Sequence, residues 1–404
     1  MTNLNSKGTV RFQDRAAQLH ALQNAKMARS MHAYVRGNTV QFYHWLESQH
    51  GWTIPQGPAI WICGDCHLGN LGPLADDEGR VQVQIRDLDQ TVIGNPVHDL
   101  IRLGLSLATV ARGSDLPGIT TVRMIEALME GYESAFPETD EATPEKPQAV
   151  KLVMKKAVRR TWKQLARERI DGVAPVIPLG RRFWPLAKAE RKAIEQLFTQ
   201  PAMRELVTQL YHRADDARIE VIDAAYWRKG CSSLGRLRYA VLLDVDGGTV
   251  DGDDLCLIDI KEATRAAAPH AVGGGMPRDQ ASRVVEGARH LSPALGDRMR
   301  AASLLERPVF LRELLPQDLK LEIEQMGRSQ TLKAARFLAM VVGHAHCQQM
   351  DATARRAWRK ELRRNRSKTL DAPSWLWSSM LDLIAEHERG YLEHCRKYVL
   401  LGDR

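Results

Sequence analysis

The chain has 404 residues, 44% of them hydrophobic and 26% charged, which is the composition of a globular protein with two or three packed layers or two lobes. No apolar run reaches ~18 residues, so no membrane span is expected. The net charge of +8 favours anionic partners such as nucleotides, phosphorylated substrates or nucleic acid, although a basic surface with no partner gives the same total.

The N-terminal stretch MTNLNSKGTVRFQDR carries no apolar signal core, and a cytoplasmic protein is expected. Six cysteines in a chain of this length do not make a disulfide framework, so reduced thiols are expected. Residues 10–50 read as helical, with a break at the segment HAYVRG (32–37). The stretch 59–63, AIWIC, reads as a short strand that the turn formers of 64–70 end. In 81–86, VQVQIR, apolar and polar residues alternate as in a half-buried strand that ends at Asp87. Gly94-Asn95-Pro96 is a turn, and Asp99 opens a helix lined by Leu100, Leu103, Leu107 and Val110. Helices are expected at 119–134, at 148–169 with a strongly basic face, and at 187–213.

The pattern changes near 226. RYAVLLDV (238–245) and LCLIDIK (255–261) read as a β-hairpin, and PVFLREL (308–314) as a further strand. A helix is expected at about 278–291, and helices again from 330 to the end, with a basic run at 354–367.

The chemistry concentrates in residues 61–103. Asp65 and Asn70 stand five apart, the D-x-x-x-x-N spacing of a kinase catalytic loop, and Asp87 follows the next strand. Asp and Asn offer the hard oxygen donors that Mg²⁺ prefers, and phosphoryl transfer needs a positioned metal and a carboxylate more than covalent help. The longer string is more specific. GDCHLGN (64–70), a strand, Asp87 and then GNPVHDLIRL (94–103) resembles the aminoglycoside and choline kinase-like group. That resemblance implies a catalytic base at Asp65, metal ligands at Asn70 and Asp87, and a loop-bracing carboxylate at Asp99. His67, where Ser/Thr protein kinases carry Lys, points to the small-molecule branch, and Cys63 replaces the group's usual His.

A kinase carries its glycine-rich loop and strand Lys before the catalytic loop, and here they come after it. Gly230, Ser232, Ser233 and Gly235 precede the 238–245 strand and would let backbone N–H groups approach phosphates. Lys261 resembles the strand Lys that pairs with ATP phosphates, and Glu286 its ion-pair partner, with Glu262 as a competitor. Read from 226 to 404 and then from about 30 to 135, the order is that of a kinase. The fold expected is therefore α+β, helix-rich, two-lobed and protein-kinase-like, with a circular permutation. Its parts are a helical lobe over 1–215, a β-rich nucleotide lobe over 216–320, and returning helices over 321–404. Nearly the whole chain also resembles a bacterial domain-of-unknown-function family, family 2252.

The expected function is an ATP- and Mg²⁺-dependent phosphotransferase acting on a hydroxyl acceptor, with Asp65, His67 and Lys261 as the catalytic set. The alternatives are a nucleotide-binding pseudokinase, a nucleotidyl transferase, or a nucleic-acid-binding protein that uses the basic helices. Cys63, Cys66 and His67 also fit the C-x-x-C-H pattern of haem attachment, and the two cysteines fit a dithiol pair or a zinc site. Asp89 is a second candidate for the role of Asp87. His344, His346 and Cys347 read as ordinary helix residues.

Overall fold

Two near-continuous apolar segments, 238–245 and 255–262, form the centre of the largest sheet among the described residues. The computed structural model describes residues 12–48, 54–76, 78–113, 118–137, 146–159, 176–208, 213–229, 234–246, 255–271, 275–315, 317–319, 328–364 and 372–400. Its strands are β1 (Ile60–Ile62), β2 (Leu71–Ala75), β3 (Val81–Ile85), β4 (Val92–Gly94), β5 (Phe183–Trp184), β6 (Ile219–Trp227), β7 (Arg238–Val245), β8 (Leu255–Glu262), β9 (Met299–Leu304) and β10 (Arg307–Glu313). Six of them form an antiparallel sheet in the order β5-β6-β7-β8-β10-β9. Two short ribbons, β1 with β4 and β2 with β3, stand apart from it.

Successive side chains of a strand point to opposite faces. Tyr239, Val241, Leu243, Ile258 and Ile260 take one face, packed with Ile194, Leu197, Met203 and Leu206 of the helices Lys188–Leu197 and Pro201–Thr208. Ala240, Leu242 and Leu257 take the other, with Phe183 and Trp227. Asp259 and Lys261 share the parity of Leu257, so two charged groups lie on a face that the sheet does not leave to solvent. They are only 2% and 3% exposed.

The helices Val97–Gly113, Gly118–Ser134, Arg328–Cys347 and Ser374–Cys395 form a second body around Leu100, Leu103, Leu128, Leu338, Val342 and Leu376. Gly131 lets two of them touch by backbone, since a Cβ there would stand 1.9 Å from the Arg336 carbonyl oxygen. The arrangement is α+β and helix-rich. Among the described residues, no helix is long and apolar enough to cross a membrane.

Packing divides the chain differently from the expected segments. Residues 183–208 pack on the sheet and not with the helical body, because Trp184, Ile194 and Leu206 cover its exposed apolar face. The helix Gln280–Leu291 turns Ala281, Val284 and Ala288 into the core of the helical body. The strand β6 begins at Ile219, ahead of the expected change near 226. Its first half is only partly buried and holds an irregularity between Val221 and Asp223, which blunts the alternation. The basic helix is described as Gln148–Val158, and residues 160–175 lie outside the described residues.

The N-terminal helix Arg15–Met27 is tied to the sheet by a buried charge pair. Arg15 donates to Glu190 at 2.8 Å, and Glu190 also accepts from the Tyr239 hydroxyl at 2.8 Å. Removing one partner of a buried pair strands the other. Arg15→Ala should therefore lower unfolding stability by about 3 kcal/mol, read by urea denaturation. A loss under about 1 kcal/mol would contradict the burial argument.

Candidate active site

The turn after β1 is held from both sides. Gly64 adopts φ +74°, and a Cβ there would lie 2.1 Å from the Gln90 carbonyl oxygen, so only glycine fits. The Asp99 carboxylate accepts from the Cys63 N–H at 2.7 Å and the Gly64 N–H at 3.0 Å. It also accepts from His346 Nε2 at 3.1 Å. The Tyr132 hydroxyl meets His346 Nδ1 at 2.8 Å, and Trp358 Nε1 donates to that hydroxyl at 3.2 Å. One direction satisfies all four groups: Trp358 to Tyr132, Tyr132 to His346 Nδ1, and His346 Nε2–H to Asp99. Four helices thus brace two backbone N–H groups.

Asp65, 5% exposed, sits in that turn. Its Oδ1 accepts from Arg102 Nε at 3.0 Å and lies 2.9 Å from Arg102 Nη2. Its backbone carbonyl accepts from Asn70 Nδ2 at 2.9 Å, which ties the two ends of the D-x-x-x-x-N stretch together. Burial pushes the Asp65 carboxyl up, Arg102 opposes the shift, and Asp89 adds to it. His67 Nδ1 accepts from the Gly69 N–H at 3.1 Å. The ring proton is therefore on Nε2, which stands 3.9 Å from Asp65 Oδ2. Burial holds His67 well below its ordinary value, and Arg36 and Arg102 lower it further, so the ring is neutral.

The β2–β3 ribbon brings Asn70 to Asp87. Its register pairs Leu71 with Ile85, and the ladder continues with the Arg86 N–H donating to the Asn70 carbonyl at 2.7 Å. Asn70 then pairs with Arg86, the residue before Asp87, at the end of one antiparallel ladder. Here the other part of the chain arrives. Lys261 Nζ lies 2.9 Å from Asp87 Oδ1 and 3.3 Å from Asp89 Oδ2. Behind it, Arg238 binds Asp259 through both carboxylate oxygens, at 2.9 and 2.6 Å. Desolvation pushes Asp87 up, but Lys261 and Arg238 outweigh it and hold the carboxyl well below the usual carboxylate range. The Asp87 side chain is 45% exposed, so a carboxylate bound to a buried ammonium still faces solvent.

Asp65, His67, Asn70, Asp87, Asp99 and Lys261 are thus linked through direct contacts or adjacent backbone. Glu286 is not the partner of Lys261. It pairs with Arg289 at 3.4 Å and His290 at 3.3 Å on its own helix, and the carboxylates that meet Lys261 come from the 87–89 loop. The same helix contributes Arg283, which donates to the carbonyls of Asp89 and Thr264, at 3.0 and 2.9 Å, and to that of Thr91. Glu262 accepts from the Leu237 N–H and from Arg307. Gly235 has φ +96°, while Gly230, Ser232 and Ser233 lie outside the described residues.

Arg102, His346, Tyr132 and Arg283 were not assigned roles from the sequence. Arg102 stands three after Asp99, within one helical turn, which was a usable signal; His346 and Tyr132 carry none in sequence.

The donor set suits a hard cation. The Asn70 amide N–H donates to the Asp65 carbonyl, which leaves the amide oxygen as its acceptor atom, and the Asp87 carboxylate is part-exposed. Cys63 Sγ, Cys66 Sγ and an Asp99 oxygen also lie within 4.8 Å of one another. That group fits a metal poorly. The Asp99 oxygens already take three N–H groups, and the Cys63 thiol is pushed well above its ordinary range by its hydrogen bond to Cys66 and by burial. A separate cavity of about 390 Å³ opens at the far end of the β1–β4 ribbon, beside Gly94, Asn95, His98 and His270, and includes none of the candidate residues.

Residues 15–397 match the family described as "Uncharacterized protein conserved in bacteria (DUF2252)", and the chain belongs to that family. No curated protein and no solved structure matches the chain.

The buried histidines set an acid limit. Burial lowers His32, His98 and His387 to about 4, and His67 well below its ordinary value. Unfolded, each titrates near ~6.5. The unfolded chain therefore binds more protons below that pH, and the stability these groups contribute above it is lost as pH falls toward 4. Each contributes at most about 1.4 kcal/mol per pH unit. The urea midpoint should fall steadily from pH 6.5 to 4.5, and a flat profile would show that these rings are not held neutral.

Proposed function

We propose that the chain is an ATP- and Mg²⁺-dependent phosphotransferase with a permuted kinase-like arrangement, acting on a hydroxyl acceptor. The observation that carries this reading is the 2.9 Å contact between Lys261 and Asp87, two residues separated by 174 positions. It puts a buried strand lysine on a half-exposed carboxylate, next to the Asp65–Asn70 turn. A kinase site needs that set together.

On this reading Lys261 holds the nucleotide phosphates, and Asn70 and Asp87 hold the metal. Mg²⁺, when bound, supplies neutralisation of charge on the phosphate oxygens. Asp65 orients the acceptor hydroxyl and takes its proton as the new O–P bond forms and the bond to ADP breaks. Arg102 fixes Asp65 by Oδ1, which leaves Oδ2 as the oxygen it does not hold. The raised proton affinity of the buried Asp65 carboxyl suits a base. Asp99 and His346 keep the turn from moving. His67 Nε2–H, 3.9 Å from Asp65 Oδ2, limits where an acceptor oxygen fits.

One observation favours a second reading, nucleotide binding with nucleotidyl transfer or with no transfer. Lys261 is bound by Asp87 and Asp89, and Glu286 stays on its own helix. Phosphate placement need not then follow the kinase pattern. The mass gained by a labelled acceptor separates the two, about 80 Da for phosphoryl and about 329 Da for adenylyl. A nucleic-acid role has less support. In the basic helix Ala352–Leu362 and just after it, Arg355 donates to a backbone carbonyl and Arg363 and Arg364 pair with Glu133 and Glu361.

Thermal unfolding with a nucleotide panel tests the reading. ATP with Mg²⁺ should stabilise the protein, by about 2.7 kcal/mol at a hundredfold excess over Kd. Asp87→Asn should remove the Mg²⁺ dependence. Asp65→Ala should keep nucleotide binding and slow transfer by about 10²–10⁴-fold. A flat response to every nucleotide, with and without Mg²⁺, would overturn it.

A further inference from the structure

Around the 65–70 turn the chain gathers more guanidinium than it pairs. Arg102, fully buried, gives Nε to Asp65 and Nη2 to the Val35 carbonyl at 2.6 Å, but its Nη1 has no hydrogen-bond partner. Arg36, in the helix Met31–Gly37, has a buried Nε with no partner. Its guanidinium lies over the catalytic turn. A Cβ on Gly69 would meet Arg36 Nη2 at 2.9 Å, Arg36 Cζ at 3.0 Å and His67 Cε1 at 3.1 Å. Neighbouring rings add no charge to answer or explain it. His32, one turn before Arg36, is lowered by burial and by both arginines, and meets Thr109 Oγ1 at 3.4 Å. Asp65 answers Arg102.

Buried polar groups almost always find partners, so orphaned guanidinium donors on two arginines that both act on the His67 ring point to an acceptor that is not part of the protein. A guanidinium fork matches the oxygens of a phosphate or carboxylate. The position says which molecule carries them. Lys261 reaches the 87–89 loop from β8, whereas Arg36 reaches Gly69 from an N-terminal helix. Two cations thus approach the 65–89 stretch from different elements. The second of them lies beside Gly69 and His67, in the turn that carries Asp65, where the acceptor hydroxyl belongs.

We propose that Arg36, backed by Arg102, binds an oxyanion on the acceptor, so that the substrate class is a hydroxyl compound bearing a phosphate or carboxylate group. This rests on the phosphotransferase reading of the same site. Gly69 is part of the device, because its missing side chain is the space in which the guanidinium lies. Arg36 acts as a binding residue and Arg102 as a positioning residue for Asp65.

The test uses the full chain and two probes, inorganic phosphate and acetate, titrated at constant ionic strength without nucleotide, with binding read by calorimetry. Phosphate, or acetate if the natural group is a carboxylate, should bind wild type saturably. Arg36→Gln should weaken that binding about ten- to a hundredfold. Arg36→Lys should fall between, since it keeps the charge and loses the fork. Gly69→Ala gives an independent arm. Its methyl group meets the movable end of Arg36, so it should displace the guanidinium and weaken the anion while the chain still folds. Mg²⁺·ATP protection is measured beside each variant. Anion binding unchanged in Arg36→Gln and Gly69→Ala, or no binding of either probe to wild type, would overturn the proposal. Loss of Mg²⁺·ATP protection in wild type with Arg36-dependent anion binding intact would instead sink the phosphotransferase reading and leave the anion site standing.

Discussion

An ammonium that is 3% exposed must have a counter-charge, and Lys261 finds two of them, Asp87 and Asp89, in a loop 174 and 172 residues earlier in the chain. Much else is arranged around that meeting. The parity of β8 sends Asp259 and Lys261 to the same face of the sheet. Arg238 and Arg312 then neutralise Asp259 from the flanking strands, at 2.6 and 3.4 Å. The loop itself is gripped residue by residue. Arg312 donates to the Arg86 carbonyl, Lys261 takes Asp87, Arg236 and Lys261 share Asp89, and Arg283 binds the carbonyls of Asp89 and Thr91. Each donor comes from beyond residue 235, so the later half of the chain holds the earlier half by its charges.

The other side of the same stretch is held by hydrogen bonds inside the helical body. Asp99, His346, Tyr132 and Trp358 form a buried relay in which each group has one role, and it ends on the backbone N–H groups of Cys63 and Gly64. Asp65 is therefore fixed by its backbone as well as by Arg102. On the proposed reading Asp65 orients a reactant, and such support matters there because small misplacements are costly in rate. Between the two clamps, Asp87 keeps a solvent-facing side and Arg36 keeps an unused donor, and the proposed ligands would meet the protein at those two points.

Much of this was legible in the sequence. The 238–245 and 255–261 strands read as near-continuous apolar runs because both faces of the sheet are packed, and β6 escaped notice because its first half is only partly buried. Asp65, Asn70, Asp87, Asp99 and Lys261 were singled out by turn positions, strand ends and the resemblance of the 64–103 string, and the fold brings Lys261 to Asp87 and Asp99 to the 63–64 turn. Glu286 was misassigned as the partner of Lys261, since position on a helix does not reveal which of several acids a lysine meets. His346 and Tyr132 act only through contacts between helices more than 200 residues apart in sequence, and nothing local distinguishes them from core residues. Arg36 lies in a helix that reads as ordinary, and its meaning depends on the absent side chain of Gly69.

The central claim, that the two halves of the chain make one nucleotide site, is tested most directly by a crystal structure with Mg²⁺ and a non-hydrolysable ATP analogue. The account predicts phosphate oxygens at Lys261 Nζ and a metal ion bound by Asn70 and Asp87. A nucleotide seated elsewhere, for example in the cavity beside His98 and His270, would contradict it.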